Sequence, residues 1–552
     1  MKRTKNIILV LLSVITASTI GFSQDEKKEI KKYIRAADLE MYNNNFKNAL
    51  DLYRKAYTID SANAQVAFKV GVCMYNFRKY KQQSLPYFEK AQHAGIPEAS
   101  YFLGNLYHLS GKFEDAIRLF QEYKNNSGKK EFSNTEVDFL INKSKTAIEL
   151  VKTPVDVTIE NIGTTINTEY SEYVPLISAD ESILIFTSRR KGSTGGLLDP
   201  FGDYFEDVYI SHKKKSVSAQ KSSSEWTTPQ GISSNINTPT HDACVGLSPN
   251  GEVLFLYRTS EDLLSGDLYA SVFNGTEWSV PELLPDPINT KNFNEPSASL
   301  LEEGQILYFS SDRPGGYGKK DIYRVVKLGN GKWSKAVNLG PTINTPEDED
   351  APFIHPDGKT LYFSSEGHKN MGGYDIFKST LKKADIFSED IWSEPENLGY
   401  PVNTPDDDIY FVLSTDGKRG YYSSGKPGGY GSADIYLIHF AEENFGLDVL
   451  KGKVVADSSD KPLNATITLM IVADDSANNA VNSTITFLNS TTNKVEAIYN
   501  TNKLTGKFLM IIAENKKYIM KIEAEGYVTY TGKLNALSSE EINMIKLQKL
   551  EK

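Results

Sequence analysis

The sequence predicts a multidomain α + β chain, and three observations carry that prediction. A helical period of about 34 residues runs to residue 151, a strand-rich unit recurs five times between residues 154 and 440, and an alternating half-buried pattern occupies residues 447–552. The 552 residues exceed what one hydrophobic core fills. A composition of 39% hydrophobic and 24% charged residues belongs to a folded chain, not a disordered or polytopic membrane one. Lys plus Arg number 61 against 71 for Asp plus Glu, a net charge of -10. No positive field gathers phosphates, which excludes nucleic acid as a partner.

Residues 1–23 have the pattern of an export signal. Lys2, Arg3 and Lys5 precede an apolar run from Ile7 to Ile20, and Gly21 and Ser23 fit a signal-peptidase site ahead of Gln24. No later run of about 18 apolar residues predicts a membrane-spanning helix. No Cys stands at the cleavage region to carry a lipid. Cys73 and Cys244 fall in different predicted domains, too sparse for a disulfide framework, and read as buried thiols.

Residues 24–151 read as helix pairs. Ala37, Gly71 and Gly104 are spaced 34 and 33 apart, followed by Ala49, Ser84 and Ala116, then by Tyr53, Phe88 and Phe120. Small residues let two helices approach, and the aromatic ring four positions on fills the gap. These positions resemble tetratricopeptide repeats, which implies a concave groove for a partner segment. A helix from about Asn134 to Val151 caps the apolar end of the stack.

Between 154 and 440, Ile166-Asn167-Thr168 recurs as Ile236-Asn237-Thr238, Ile288-Asn289-Thr290, Ile343-Asn344-Thr345 and Val402-Asn403-Thr404. Trp226, Trp278, Trp333 and Trp392 each stand about ten residues before an Asn-Thr, and only the first copy lacks one. Each unit continues through a tight turn such as Asn250-Gly251, Asp357-Gly358 or Asp416-Gly417 and a strand of the Leu307–Ser311 type. A Gly-rich turn follows, then a closing strand that opens at Asp207, Asp267, Asp321, Asp375 or Asp434. Four short strands per unit, repeated five times, predict a five-bladed β-propeller. The segments resemble the WD-repeat-like, PD-type repeats of TolB-like and OmpA-associated envelope proteins, most clearly at "PDGKTLYFSSEGHKNMGGYDIF".

In residues 447–552, Gly452, Val454, Pro462-Leu463, Ala465, Gly506, Phe508, Tyr518 and Gly526-Tyr527 resemble the pattern of carboxypeptidase-regulatory-like domains. The resemblance implies a small seven-stranded β-sandwich without catalytic residues. The fold class is thus helical repeats, a five-bladed propeller and a sandwich.

Signals for chemistry are sparse. Gly246-Leu247-Ser248-Pro249-Asn250 lacks the last glycine of a nucleophile elbow, and the seven histidines show no zinc spacing. The pairs Gly315-Gly316, Gly372-Gly373 and Gly428-Gly429 recur at one position ahead of a strand, so they read as turns needing positive φ and not as phosphate loops. Lys213 to Lys215 read as a solvated hairpin tip. Acidic runs at Glu347 to Asp350 and Asp406 to Asp408 sit just after the Asn-Thr, and the fifth position past each repeated Asn is Glu172, Asp242, Asn294, Glu349 or Asp408. Four acidic copies predict either a carboxylate ring able to hold Ca²⁺ or a basic partner, or caps that hold the blades together. No other cofactor is expected, and no enzyme.

The order of these parts resembles the PorE-type envelope proteins of the Bacteroidetes, members of the type IX secretion and gliding apparatus. In that family an OmpA-like peptidoglycan-binding domain follows the sandwich, whereas this sequence ends at Lys552. The resemblance implies a periplasmic or outer-membrane-associated scaffold that contacts other envelope proteins, OmpA-like proteins among them, through the helical groove and the propeller faces. The alternative is a propeller that senses glycan or peptide beside a nutrient-uptake system.

Overall fold

The computed structural model describes residues 22–128, 130–199, 202–214, 225–259, 266–301, 305–384, 390–441, 445–471, 494–534 and 542–550. Most of the expected export signal and Lys215 lie outside them. The described residues form a mixed α and β molecule with helices first and separate small sheets after.

The helices are α1 (Gln24–Tyr42), α2 (Phe46–Ile59), α3 (Ala64–Tyr75), α4 (Leu85–His93), α5 (Pro97–Leu109), α6 (Phe113–Asn125) and α7 (Asn134–Lys152), each packed on the next. Their starts are written locally. Ser23 and Glu26 form a capping box on α1, and Asn45, Asn63 and Ser133 accept backbone N–H groups at the starts of α2, α3 and α7. The spacing of small and aromatic residues has a direct physical counterpart. A Cβ added at Gly71 would lie 2.9 Å from the Phe88 ring, and one at Gly104 would lie 2.6 Å from the Phe120 ring. Ser84 departs from the pattern, standing in a short 3-10 turn just ahead of α4.

The strand-rich region makes five antiparallel sheets of a common plan. Their first strands are Glu172–Ile177, Asp242–Leu247, Ala298–Leu300, Glu349–Ile354 and Asp408–Leu413, and each is followed outward by a second and a third strand. Units 1 to 4 add a short fourth strand from the following chain. In unit 5 that place is taken by Val157–Asn161, which precedes unit 1 and pairs with Asp434–Phe440. This explains the missing tryptophan of the first copy. The four tryptophans bridge back to the end of a third strand, opposite Lys213, Phe273, Lys327 and Leu381, and among the described residues unit 5 has no such hairpin.

The first strands touch in the order 1, 2, 3, 4, 5, and the fifth touches the first, a propeller-like ring. Two sets of hydrogen bonds hold its junctions. Each repeated Asn uses its side-chain amide to bond both N–H and C=O of one residue on the preceding unit's third strand. Asn237 holds Val208, Asn289 holds Leu268, Asn344 holds Ile322 and Asn403 holds Ile376, at 2.8–3.0 Å. Asn167 holds Ile435 of unit 5 at 2.9 Å in both directions, so the last unit is bonded to the first. The backbone N–H groups of Glu172, Asp242, Glu295, Glu349 and Asp408 donate across the same junctions, to the carbonyls of Ala433, Glu206, Gly266, Lys320 and Tyr374.

The last region packs a three-stranded sheet, Lys507–Ala513, Leu447–Ala456 and Asn543–Leu547, on a four-stranded one, Lys494–Asn500, Ala465–Ile471, Tyr518–Ala524 and Tyr530–Lys533. Val454, Ile467, Met510 and Ile522 fill the space between them. The two flanking parts meet opposite faces of the ring. Lys451 pairs with Asp180 at 3.2 Å and Asn502 donates to Glu252 at 2.9 Å, both in hairpins between first and second strands. The helices instead reach the loops between second and third strands, at Met371 and Gly373.

Candidate functional site: the junction clamps and the axial mouth

The acidic positions are built by the loop each one closes. Glu172 accepts from Thr168 N–H at 2.7 Å, Thr168 Oγ1 at 2.8 Å, Ser188 Oγ at 2.7 Å and Arg190 at 3.3 Å. Asp242 takes Thr238 N–H, Thr238 Oγ1 and Arg258, and Glu349 takes Thr345 N–H, Thr345 Oγ1 and Ser365. In the third unit this role belongs to Glu295, not to Asn294. One extra residue, accommodated by Asn292 at φ +71°, shifts the carboxylate by a place, and Thr290, Ser311 and Arg313 bind it. All five carboxylates are fully buried and each is held inside its own unit. Among the described residues no group of three or more His, Cys, Asp or Glu is placed to hold a metal ion. The clamp is completed by Arg190, Arg258, Arg313 and His368, each bonded to the carbonyl of the Ile before its Asn, and by Lys426 on Pro401.

The Gly-rich turns serve the closing Asp. Asp321 accepts the N–H groups of Tyr317 and Gly318, Asp434 those of Tyr430 and Gly431, and Asp375 those of Met371 and Gly372. Asp207 accepts from Thr194, and Asp267 is half-buried beside residues outside the described set. Gly315 and Gly428 have positive φ, but Gly372 and Gly373 do not. In the fourth unit glycine is needed for another reason: a side chain there would strike the backbone of Thr404 and the Asp407 carboxylate.

Burial sets the charge states of the clamps. It pushes the Glu349 carboxyl up to about 7, and it raises Glu172, Glu295 and Asp408 as well. The cysteines are inert for the same reason. Cys73 lies against Met41, Cys244 lies against Thr187, and burial pushes the Cys244 thiol up to about 12.

Polar groups meet at the mouth of the ring, on the face toward the helices, and of these the sequence pointed only to Asp350, in the acidic run Glu347 to Asp350. On one side Glu206 binds the Tyr173 hydroxyl, His241 Nδ1 at 2.5 Å and Arg189 at 3.8 Å. On the other, Asp350 accepts from Lys320, Ser297 and Ser310, while Lys320 also donates to the Tyr374 hydroxyl at 3.0 Å. The charges of Asp350, Lys320 and Glu206 all act on the phenol of Tyr410, which stands between these groups at φ +61°. Below the mouth the first strands close on an apolar plug that includes Val174, Leu176, Val245, Leu247 and Phe353, with a void of about 30 Å³. The mouth therefore has a floor. Its other residues stand beside the repeat positions, which is why no spacing revealed them.

The helices bear on this face through units 4, 5 and 1. His108 Nε2–H donates to the Met371 carbonyl at 2.8 Å, so Nδ1 accepts from the Ser144 hydroxyl at 2.8 Å. Burial drives His108 down to about 4 and keeps it neutral. Met371 is fully buried against Phe113 and Ala147. Lys143 reaches the Gly373 carbonyl at 3.4 Å, Arg78 pairs with Asp406 at 3.4 Å, and Lys47 lies against Gly202 of unit 1. On the opposite face a cleft of about 1220 Å³ separates units 1 and 2 from the sandwich, edged by Val272, Ile498, Leu504 and Ile542.

No protein-family model matches the chain, and no curated protein does. Solved structures that align with it include a putative TolB from Agrobacterium tumefaciens, 15% identical over 52% of this chain and 98% of that one, with a TM-score of 0.27. An α-L-arabinofuranosidase from Lactobacillus brevis aligns at 13% identity over 50% and 94%, TM-score 0.32. The β-propeller domain of the Trilobed protease from Pyrococcus furiosus aligns at 10% identity over 67% and 96%, TM-score 0.24.

Proposed function

We propose that this chain is a non-enzymatic scaffold of a Gram-negative cell envelope, exported to the periplasm and working in a type IX secretion or gliding apparatus or in envelope assembly. In this reading the helices are tetratricopeptide-like repeats, the ring is a closed five-bladed β-propeller, and the last region is a carboxypeptidase-regulatory-like sandwich, an order similar to PorE-type proteins. The observation that carries it is the disposition of the repeated polar residues. The Asn, Thr, carboxylate and cationic side chains that recur from unit to unit bond to one another at the junctions. Repetition thus maintains a rigid ring with modules on both faces, the form of a protein that acts by multivalent contact.

Crosslinking in envelope fractions of the native host, followed by capture of the mature chain and mass spectrometry, tests this reading. Secretion-translocon or OmpA-like peptidoglycan-associated proteins are the expected partners. Recovery of uptake transporters alone would reverse it in favour of a ligand sensor. One observation favours that second reading: Tyr173, Tyr374 and Tyr410 come from three different units to one mouth. Calorimetric binding of a purified glycan, lost in Tyr410→Ala, would support it.

A further inference from the structure

The sandwich meets the ring through a turn that its own sequence writes. Between Asn502 and Lys507 the Asn502 side chain accepts the N–H groups of Leu504 and Thr505, both at 3.1 Å, and donates to Glu252 of unit 2 at 2.9 Å. Backbone bonds from Asn502 N–H to the Lys507 carbonyl and from Gly506 N–H to the Asn502 carbonyl close the turn. Gly506, at φ +68°, has no room for a side chain beside the Val454 carbonyl, and a Cβ at Gly275 of unit 2 would lie 2.5 Å from Thr505. The turn is thus held from both modules, and it carries the exposed Lys503 and Leu504 as a fixed lip.

This lip borders the cleft of about 1220 Å³ between units 1 and 2 and the sandwich. The charges that line it are unevenly spent. Asp180 accepts from Ser178 and Ser182 and pairs with Lys451, and Glu252 accepts from Asn502. Lys503 and Lys507 are exposed, and among the described residues neither ammonium makes a hydrogen bond or an ion pair within 4 Å, Lys507 acting on Glu252 only from farther off. Both carboxylates of the lining therefore have partners, while two of its three lysines have none. Apolar groups stand among them. Val272, Leu504 and Ile542 are exposed at the rim, and Ile183, Val253 and Leu509 are half-buried on the walls.

That mixture selects the occupant. The volume exceeds the roughly 300–1,000 Å³ of a small-molecule pocket. An acyl chain would strand the serine and asparagine groups of the walls. A glycan is served by open aromatic faces, but here Tyr499 and Phe508 are buried and Phe273 packs on Trp278. An extended peptide brings backbone groups to the polar walls and sends successive side chains to opposite sides, so apolar and charged ones can alternate.

We propose that the cleft between the ring and the sandwich is a docking site for an extended segment of a partner protein in which apolar and acidic side chains alternate, the acidic ones meeting Lys503 and Lys507 and the apolar ones Val272, Leu504 and Ile542. The inference rests on the scaffold reading and names the chemistry of one partner. The test uses the purified full chain and a fluorescein-labelled dodecapeptide of alternating valine and glutamate. Alternating valine and lysine, and alternating glycine and glutamate, are the controls. Fluorescence anisotropy at about 0.15 M salt limits long-range attraction. The valine-glutamate peptide should bind and the controls should not. Lys503→Gln with Lys507→Gln should weaken binding by about tenfold, and Leu504→Ser by about fivefold. Lys461→Gln with Lys517→Gln, exposed and outside the cleft lining, should weaken it by less than about twofold.

The substituted side chains are all exposed, so every variant should melt as the wild type does. The single lysine variants keep the test open if the double variant does not fold. Equal weakening in the two lysine pairs, undiminished binding in Leu504→Ser, or equal binding of the glycine-glutamate peptide would overturn the proposal. Binding of laurate in place of the peptide, lost in Lys503→Gln, would overturn it in favour of a lipid site. A chain that captures envelope partners but ignores the valine-glutamate peptide overturns this inference and leaves the scaffold standing. One that binds the peptide site-specifically but captures no envelope protein overturns the scaffold reading instead.

Discussion

Asp408 is the least well served of the clamp carboxylates. In units 1, 3 and 4 a Glu is long enough to reach both the Thr and a Ser on the second strand, and in unit 2 Arg258 fills the gap left by the shorter Asp242. Unit 5 pairs a short Asp with Ser424, and Asp408 Oδ1, Ser424 Oγ and the nearby Tyr422 hydroxyl have no hydrogen-bond partner among the described residues. Asp408→Glu should close this gap and stabilise the chain by about 1 kcal/mol, read from denaturant midpoints. A variant destabilised by more than about 1 kcal/mol would show that the site is too tight for the added methylene. Glu349 offers a test by pH. Its carboxyl is held at about 7 against an ordinary 4.5, so between those values the folded chain keeps a proton that the unfolded chain has lost. Its contribution to stability therefore falls as pH rises from about 4.5 to about 7 and is level outside that window. Glu349→Gln should remove this fall, seen as a wild-type loss between pH 5 and pH 7.5 that exceeds the variant's by roughly 1–3 kcal/mol in urea titrations. Parallel curves would contradict the buried charge state.

At the scale of elements, the sequence displays what recurs and hides what closes. The Asn-Thr period, the Gly turns and the missing first tryptophan are all legible in the sequence, because each unit repeats one set of backbone demands. That Asn167 bonds to Ile435, 268 residues away, was not legible, since the same Asn in units 2 to 5 grips its immediate predecessor. The displacement of the third carboxylate to Glu295 was also hidden, because one inserted residue breaks a count without breaking a loop. Asn167→Ala removes both side-chain bonds to Ile435 at the closing junction and should cost about 2–4 kcal/mol. Its distinguishing effect is local. Amide hydrogen exchange should accelerate most in Val157–Asn161 and Asp434–Phe440, the strands that join the two ends of the ring. Unchanged protection there, with loss spread evenly over the five sheets, would contradict a ring held shut at this point.

At the scale of the whole molecule, the modules divide two faces between them. The helices grip Met371 and the acidic loops of units 4 and 5, and the sandwich is tied to the hairpins of units 1 and 2. The sequence marked the three regions by their periods, but gave no sign of which face each would occupy. The contacts that decide it, such as His108 on Met371, join residues 263 apart and lie outside every repeat position. In the proposed function this assembly works by contact and not by turnover. The direct measurement is to assay the purified chain against panels of glycosides and peptides, alongside Glu206→Gln and Asp350→Asn, which neutralise the two carboxylates of the axial mouth. No hydrolysis that depends on either residue is expected. Turnover by the wild type that either substitution abolishes would contradict it and make the mouth an active site.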